Sequence, residues 1–185
     1  MIKMTSEIQD GDRVIYRGRH LTLVHRDFRG KPYEVILSPD AAVIMYIDPE
    51  DHVYFVKQYR VPLQREVLEL PAETMDKPGL TSLEVIVEGL EEECGIRIHP
   101  SQVRYYATIG STEGHDTEMV DLFYAYGPCE KTQQRLEDTE KITVVRIPFF
   151  EAYRMIETGD IQGSKSVALL QHEYIRRLEA MFGGL

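Results

Sequence analysis

The chain has 185 residues, 43% apolar and 28% charged, enough for one ordinary globular domain and too apolar for a disordered chain. Its 21 Lys and Arg face 31 Asp and Glu, a net charge of −10, which argues against the basic surface that nucleic acid or an anionic membrane requires. The longest uncharged apolar run, Ala41 to Ile47, is far short of the roughly 20 residues that cross a bilayer. The opening Met1-Ile-Lys-Met-Thr-Ser-Glu7 has no apolar signal-peptide core, and Cys94 and Cys129 make neither a disulfide framework nor metal spacing. A soluble cytoplasmic protein is the expectation.

Residues 1–40 read as a small β segment. Arg13–Tyr16 and His20–His25 alternate, Arg29-Gly30-Lys31-Pro32 makes a hairpin-like break, and Tyr33–Leu37 returns as a third strand. Three short strands bury little alone, so this segment is expected to pair with the rest of the chain or with a second subunit. Residues 41–185 form the main domain. Ala41–Ile47 is apolar enough for burial on both faces, Asp48–Asp51 turns, and Val53–Tyr59 is its hairpin partner. Glu66–Leu70 is a further strand, ended by Pro71. The spacing of Leu83, Ile86, Val87, Leu90 and Cys94 predicts a helix over Ser82–Cys94, stopped by Gly95. Strands follow at Val103–Ile109, Met119–Ala125 and Ile142–Ile147, then helices over Phe150–Thr158 and Ser166–Met181. The sum is a mixed α/β sandwich around one central helix.

That central helix ends Glu88-Gly-Leu-Glu-Glu-Glu-Cys-Gly-Ile96. An acidic run usually faces water. Here, however, the acids gather near the helix C-terminus, where the macrodipole disfavours anions. Three adjacent glutamates also repel one another, and a hard divalent cation would relieve that repulsion. The preceding Leu68-Glu69-Leu70-Pro71-Ala72 could place backbone carbonyls beside the same helix.

These residues resemble the Nudix hydrolases, in particular the ADP-ribose and nucleoside-diphosphate-sugar pyrophosphatases. Leu90-Glu91-Glu92-Glu93-Cys94-Gly95-Ile96 matches the end of the family box, and Leu68–Ala72 looks like its approach. Val56-Lys57-Gln58-Tyr59-Arg60, Ser111–Glu118, Glu140–Val144 and Gly159–Ser166 resemble further family segments, so the likeness runs over about residues 12–180. It implies an α/β/α sandwich with a mixed sheet, and a homodimer in which the N-terminal β segment takes part. The box also departs from the pattern. Its Gly is replaced by Glu73, its first Glu by Leu80, and its Arg-Glu pair by Glu88-Gly89. The family's metal ligands align with positions 89, 92 and 93 and with the Ala72 carbonyl, so one carboxylate is missing. At about 100° per residue, Gly89 and Glu93 share one helix face, whereas Glu88 lies over Glu92 and about 140° from Glu93. On this reasoning Gly89→Glu is a test: a large gain in rate would show that the native site is impaired.

Pyrophosphate hydrolysis must neutralise two phosphates and activate a water near neutral pH, and Mg²⁺ or Mn²⁺ does both. The resemblance implies metal ligation by Ala72, Glu92 and Glu93. A general base would come from a mobile loop, with Glu118, Asp138 and Glu140 as candidates beside Glu92; each could equally be a solvated acid. Arg60 could fork a phosphate or simply pair with Glu66 or Glu69, and the resemblance adds Glu69 and Gly114 to the substrate-binding set. Tyr33 or Tyr59 could stack on a base, but among eleven tyrosines packing is as good an account of any one. His115 has no second His at ligand spacing, and Cys94 fits the core stripe. The expected activity is metal-dependent hydrolysis of ADP-ribose or another nucleoside diphosphate sugar to a nucleoside monophosphate and a sugar phosphate. The alternative is a Nudix-fold binding or regulatory protein with lost catalysis.

Overall fold

The computed structural model describes residues 7–136 and 141–183. The alternating N-terminal segments form an antiparallel three-stranded sheet of β1 (Arg13–Arg17), β2 (Thr22–Phe28) and β3 (Lys31–Leu37). The turn between β2 and β3 is shorter than the sequence suggests. Arg29 and Gly30, both at positive φ, complete it alone, and Lys31 and Pro32 already pair with Phe28 and Asp27. Arg26 of β2 binds Asp12 through two bonds of 2.9 and 2.8 Å.

The main domain is built around β4 (Ala41–Ile47), whose seven residues are all buried. β5 (His52–Arg60) returns antiparallel and then leaves β4 to pair with β6 (Arg65–Glu69). β6 stops before Pro71, as the sequence predicts, but the chain at once re-enters the sheet: the Pro71 carbonyl accepts from the Ile44 amide, and β7 (Ala72–Thr74) pairs with Ala41–Val43. The central strand is therefore flanked by β5 at one end and by β7 at the other. α1 (Ser82–Cys94) is followed by β8 (Ile96–Arg97), β9 (Val103–Gly110), β10 (Met119–Tyr126), β11 (Glu130–Lys131), β12 (Thr143–Pro148), α2 (Phe149–Thr158) and α3 (Ser164–Phe182). The large sheet runs β12-β5-β4-β10-β9, with β10 parallel to β4.

Strand alternation separates the two layers. Ala42, Ile44, Tyr46, Tyr54 and Val56 face α1, packing against Ile86, Leu90 and Cys94. Val43, Met45, Ile47, Val53 and Phe55 face α2 and α3, packing against Phe149, Ala152, Leu169 and Leu170. Each of these fully covered aliphatic or aromatic side chains contributes about 1.5–3 kcal/mol of transfer free energy. The result is the α/β/α sandwich with a mixed sheet expected from the sequence. No described helix is long and apolar enough to cross a membrane.

The N-terminal sheet is tied to the main domain through the loop before β10. The Ile36 amide donates to the His115 carbonyl at 2.7 Å, the Thr117 amide to the Ile36 carbonyl at 3.0 Å, and the Ser38 hydroxyl to Asp116.

Candidate active site

α1 begins with a reciprocal cap. Thr81 Oγ1 accepts from the Glu84 amide and the Glu84 carboxylate accepts from the Thr81 amide, which satisfies two amides that would otherwise lack partners. It ends at Gly95, whose φ of 63° suits a residue without a Cβ. Between these limits, 13 residues carry five glutamates, and the structure assigns them different surroundings. Glu84 serves the cap. Glu91 is held by Arg97 at 2.8 and 2.9 Å and by Arg135 at 3.1 Å, and these guanidiniums keep its carboxyl below the usual range. Glu91 is thereby turned to a surface ion-pair network. Glu88 and Glu92 both reach Lys77, at 3.0 and 3.5 Å, and Arg135 stands 3.9 Å from Glu92. Glu93 is buried. Glu88 thus lies with Glu92, as the helical angles require, and does not take the place of a residue at 89.

That place is taken from another element. Glu73 of β7 is paired in register with Ala42, so the two side chains share a sheet face, and Ala42 faces α1. The Glu73 side chain lies directly over Gly89: a Cβ added at Gly89 would overlap it, with the Glu73 carboxyl carbon only 2.5 Å away. Glycine in a helix interior costs about 1 kcal/mol relative to alanine. Here its bare Cα admits a carboxylate from β7. In the sequence Glu73 stands only as a departure from the box, because no local pattern marks β7 beyond Pro71. Gly89→Glu alone would drive a side chain into the space of the Glu73 carboxylate, so that change does more than add an acid.

Lys77, also missed, follows the Glu73 strand and returns its ammonium to α1. Burial works against its charge, but the Glu88 hydrogen bond and the charges of Glu92, Glu88 and Glu73 outweigh burial and raise its pKa. Three carboxylates, Glu73, Glu88 and Glu92, thus act on one ammonium. Among the described residues, no three Asp, Glu, His or Cys side chains stand close enough together, as oriented, to hold a metal ion. The donor set is nonetheless right for a hard divalent cation: carboxylate oxygens, with a cationic group already drawn among them. Glu73, Glu92 and Glu93, with Ala72 adjacent in β7, are the residues that fit one.

The other candidates fall at varied distances from this cluster. Arg60 and Glu69 are joined by a 2.7 Å bond, the bland alternative for Arg60. Even so, Arg60, like Val56 four residues earlier, and Glu69, which pairs with Val56, point to the α1 face by alternation. Both stand on the side of the sheet that carries Glu73. Glu118 closes the loop beginning at Ser111 through a 3.1 Å backbone bond and lies 3.6 Å from Lys165 of α3. Gly114 sits at the exposed tip of that loop with open space around it, and His115 is exposed beside it. Asp138 and Glu140 lie outside the described residues. The segment before them runs along the last turn of α1, where the Arg135 amide donates to the Glu92 carbonyl and the Thr132 amide to that of Gly95. Tyr33 and Tyr59 are more than half exposed, so neither is a core residue. Cys94 is buried, and desolvation pushes its thiol pKa up. A cleft of about 450 Å³ lies at the opposite end of β4, lined by Tyr46, Tyr54, Lys131 and Arg146, away from the acidic cluster.

Relatives of known name resolve what this arrangement belongs to. The chain is 30% identical over 146 residues to GDP-mannose pyrophosphatase of Yersinia enterocolitica, covering 75% of this chain and 74% of that protein. The chain belongs to the Nudix family. It is also 28% identical over 152 residues to a methanol dehydrogenase activator of Bacillus methanolicus and 26% identical over 152 residues to ADP-ribose pyrophosphatase of Bacillus subtilis. Each alignment covers 80% of the chain and 78% of the relative. A crystal structure of an ADP compounds hydrolase superposes with a TM-score of 0.75 over 95% of both chains at 18% identity, which supports the Nudix fold. No protein-family model matches.

Proposed function

We propose that this Nudix chain hydrolyses the pyrophosphate bond of a nucleoside diphosphate sugar, ADP-ribose or a close analogue, to a nucleoside monophosphate and a sugar phosphate with Mg²⁺ or Mn²⁺. The observation that carries the proposal is the Glu73 side chain lying over Gly89, one helical turn from Glu93, in a chain whose relatives include pyrophosphatases named for ADP-ribose and GDP-mannose. A bound divalent cation would supply charge neutralisation for the two phosphates and would acidify a water. The carboxylates of Glu73, Glu92 and Glu93 would hold that cation. Arg60 is oriented by Glu69 and offers its remaining guanidinium N–H groups to a phosphate. The loop carrying Gly114 and Glu118 joins β9 to β10 and is bonded to β3 of the N-terminal sheet, and Glu118 is its candidate acid for the reacting water. The exposed Val14, Ile15, Tyr16, Phe28 and Tyr33 of the N-terminal sheet support the homodimer, which sedimentation would test.

The direct test incubates the purified chain with ADP-ribose, GDP-mannose and UDP-glucose in Mg²⁺ and resolves the products by chromatography. Nucleoside monophosphate and sugar phosphate should appear together, and Glu92→Gln or Glu93→Gln should lower the rate by about 100-fold or more. Absence of cleavage across the three substrates would defeat the proposal.

A further inference from the structure

Position 89 and position 73 act as one feature. Gly89 and Glu93 lie one turn apart on the buried flank of α1, so a side chain at 89 would project beside the Glu93 carboxylate. The space it would use is filled by Glu73, which arrives from β7 because its register partner Ala42 faces the helix. A carboxylate is therefore present beside Glu93 although the helix does not encode one there. Lys77 sits among the same acids, bonded to Glu88 and Glu92 on the adjoining face.

Resting on the metal-dependent reading above, we propose that Glu73 supplies from β7 the carboxylate that α1 lacks at Gly89. Glu73, Glu92 and Glu93 bind one divalent cation together, and Lys77 is the tethered cation that this ion displaces from Glu92. The exchange carries its own steric condition. A carboxylate reaches this place from position 73 only when position 89 is glycine. A carboxylate at 89 needs a small residue at 73.

The test titrates Mn²⁺, read by the loss of its free-ion electron paramagnetic resonance signal, into the full chain and its variants. Glu73→Gln should weaken Mn²⁺ binding by about tenfold or more, on the scale of removing a metal-supporting group. Gly89→Glu alone should weaken it as well, because both side chains claim one space. The double variant Glu73→Gly with Gly89→Glu should return to within about threefold of the parent, the non-additivity expected of residues in contact. Wild-type affinity in Glu73→Gln, or a double variant no better than the weaker single, would overturn the exchange. If Glu73→Gln proves unfolded by circular dichroism, Glu73→Asp, which withdraws the charge by one methylene, should still weaken binding, and unchanged affinity there would overturn it equally. Substrate turnover separates the two readings. Mn²⁺ binding that depends on Glu73 without turnover sinks the proposed activity and leaves the exchange. Turnover with Mn²⁺ binding indifferent to Glu73 sinks the exchange and leaves the activity.

Discussion

Both layers of helices carry a buried glutamate into the sheet, and the charges around the two differ. On α3, Glu173 is fully buried and answered on every side: Arg176 at 2.8 and 3.1 Å, Arg177 through its Nε, and the Tyr126 hydroxyl. Burial alone would raise its pKa, but Arg176, Tyr126 and Arg177 outweigh it and leave the pKa lowered. On α1, Glu93 is also buried, yet it lies in a neighbourhood where Glu73, Glu88 and Glu92 gather around the Lys77 ammonium. An acid matched by two guanidiniums stabilises a fold. Acids gathered near one another on a helix flank offer the oxygen donors that a divalent cation prefers.

The contrast is most open to attack at Glu173. Glu173→Gln leaves two arginines facing an uncharged amide, and chemical denaturation should show a loss near the lower end of about 3–5 kcal/mol, since Arg176 stays partly in water. The matching change on the other layer, Glu73→Gln, should alter stability by less than about 1 kcal/mol, because it removes one of several like charges. Equal losses at the two sites would dissolve the distinction. Gly89→Ala is next in size. Alanine is the better helix former by about 1 kcal/mol, but its methyl meets the Glu73 side chain, so a net loss of about 1–2 kcal/mol is expected by denaturation, with weaker Mn²⁺ binding. Thr81→Ala removes the cap far from the acidic cluster and should lower stability by about 1 kcal/mol while leaving metal affinity unchanged.

The smallest effect concerns acid. Arg26 holds the Asp12 pKa down to about 2 from an ordinary 3.8. A depressed carboxyl contributes stability fully above the unfolded value and loses it as pH falls. The Asp12–Arg26 contribution should therefore disappear between about pH 3.8 and 2. Glu173 has the same sign. Asp12→Asn should flatten that part of the urea-midpoint profile, and an unchanged profile would show that the pair does not hold the N-terminal sheet.

Much of this layout is written in local pattern. The limits of α1 follow from its apolar stripe and from Gly95, and Thr81-Ser-Leu-Glu84 carries the cap as a readable spacing. The burial of β4 follows from seven apolar residues in succession. Pro71 ends β6 without marking the strand that follows it. Proline lacks an amide but keeps its carbonyl, so it can sit between β6 and β7 and accept from Ile44 without interrupting the sheet. With β7 unseen, Glu73 had no assigned direction, and its approach to Gly89 could not be read from spacing.

The sequence by itself determined the elements, the two apolar layers and the acid-rich helix, because these rest on periodicities of two and 3.6 residues that any neighbour must respect. It also carried enough likeness to point to the family. Only the tertiary structure decided which acids meet. Residues 73 and 89 are brought together by a strand pairing at Ala42 and a helix laid across it, a contact between elements that no local period encodes. The carboxylate missing from the helix is present in the fold because side-chain chemistry depends on where an atom arrives, and the chain can deliver it from another element.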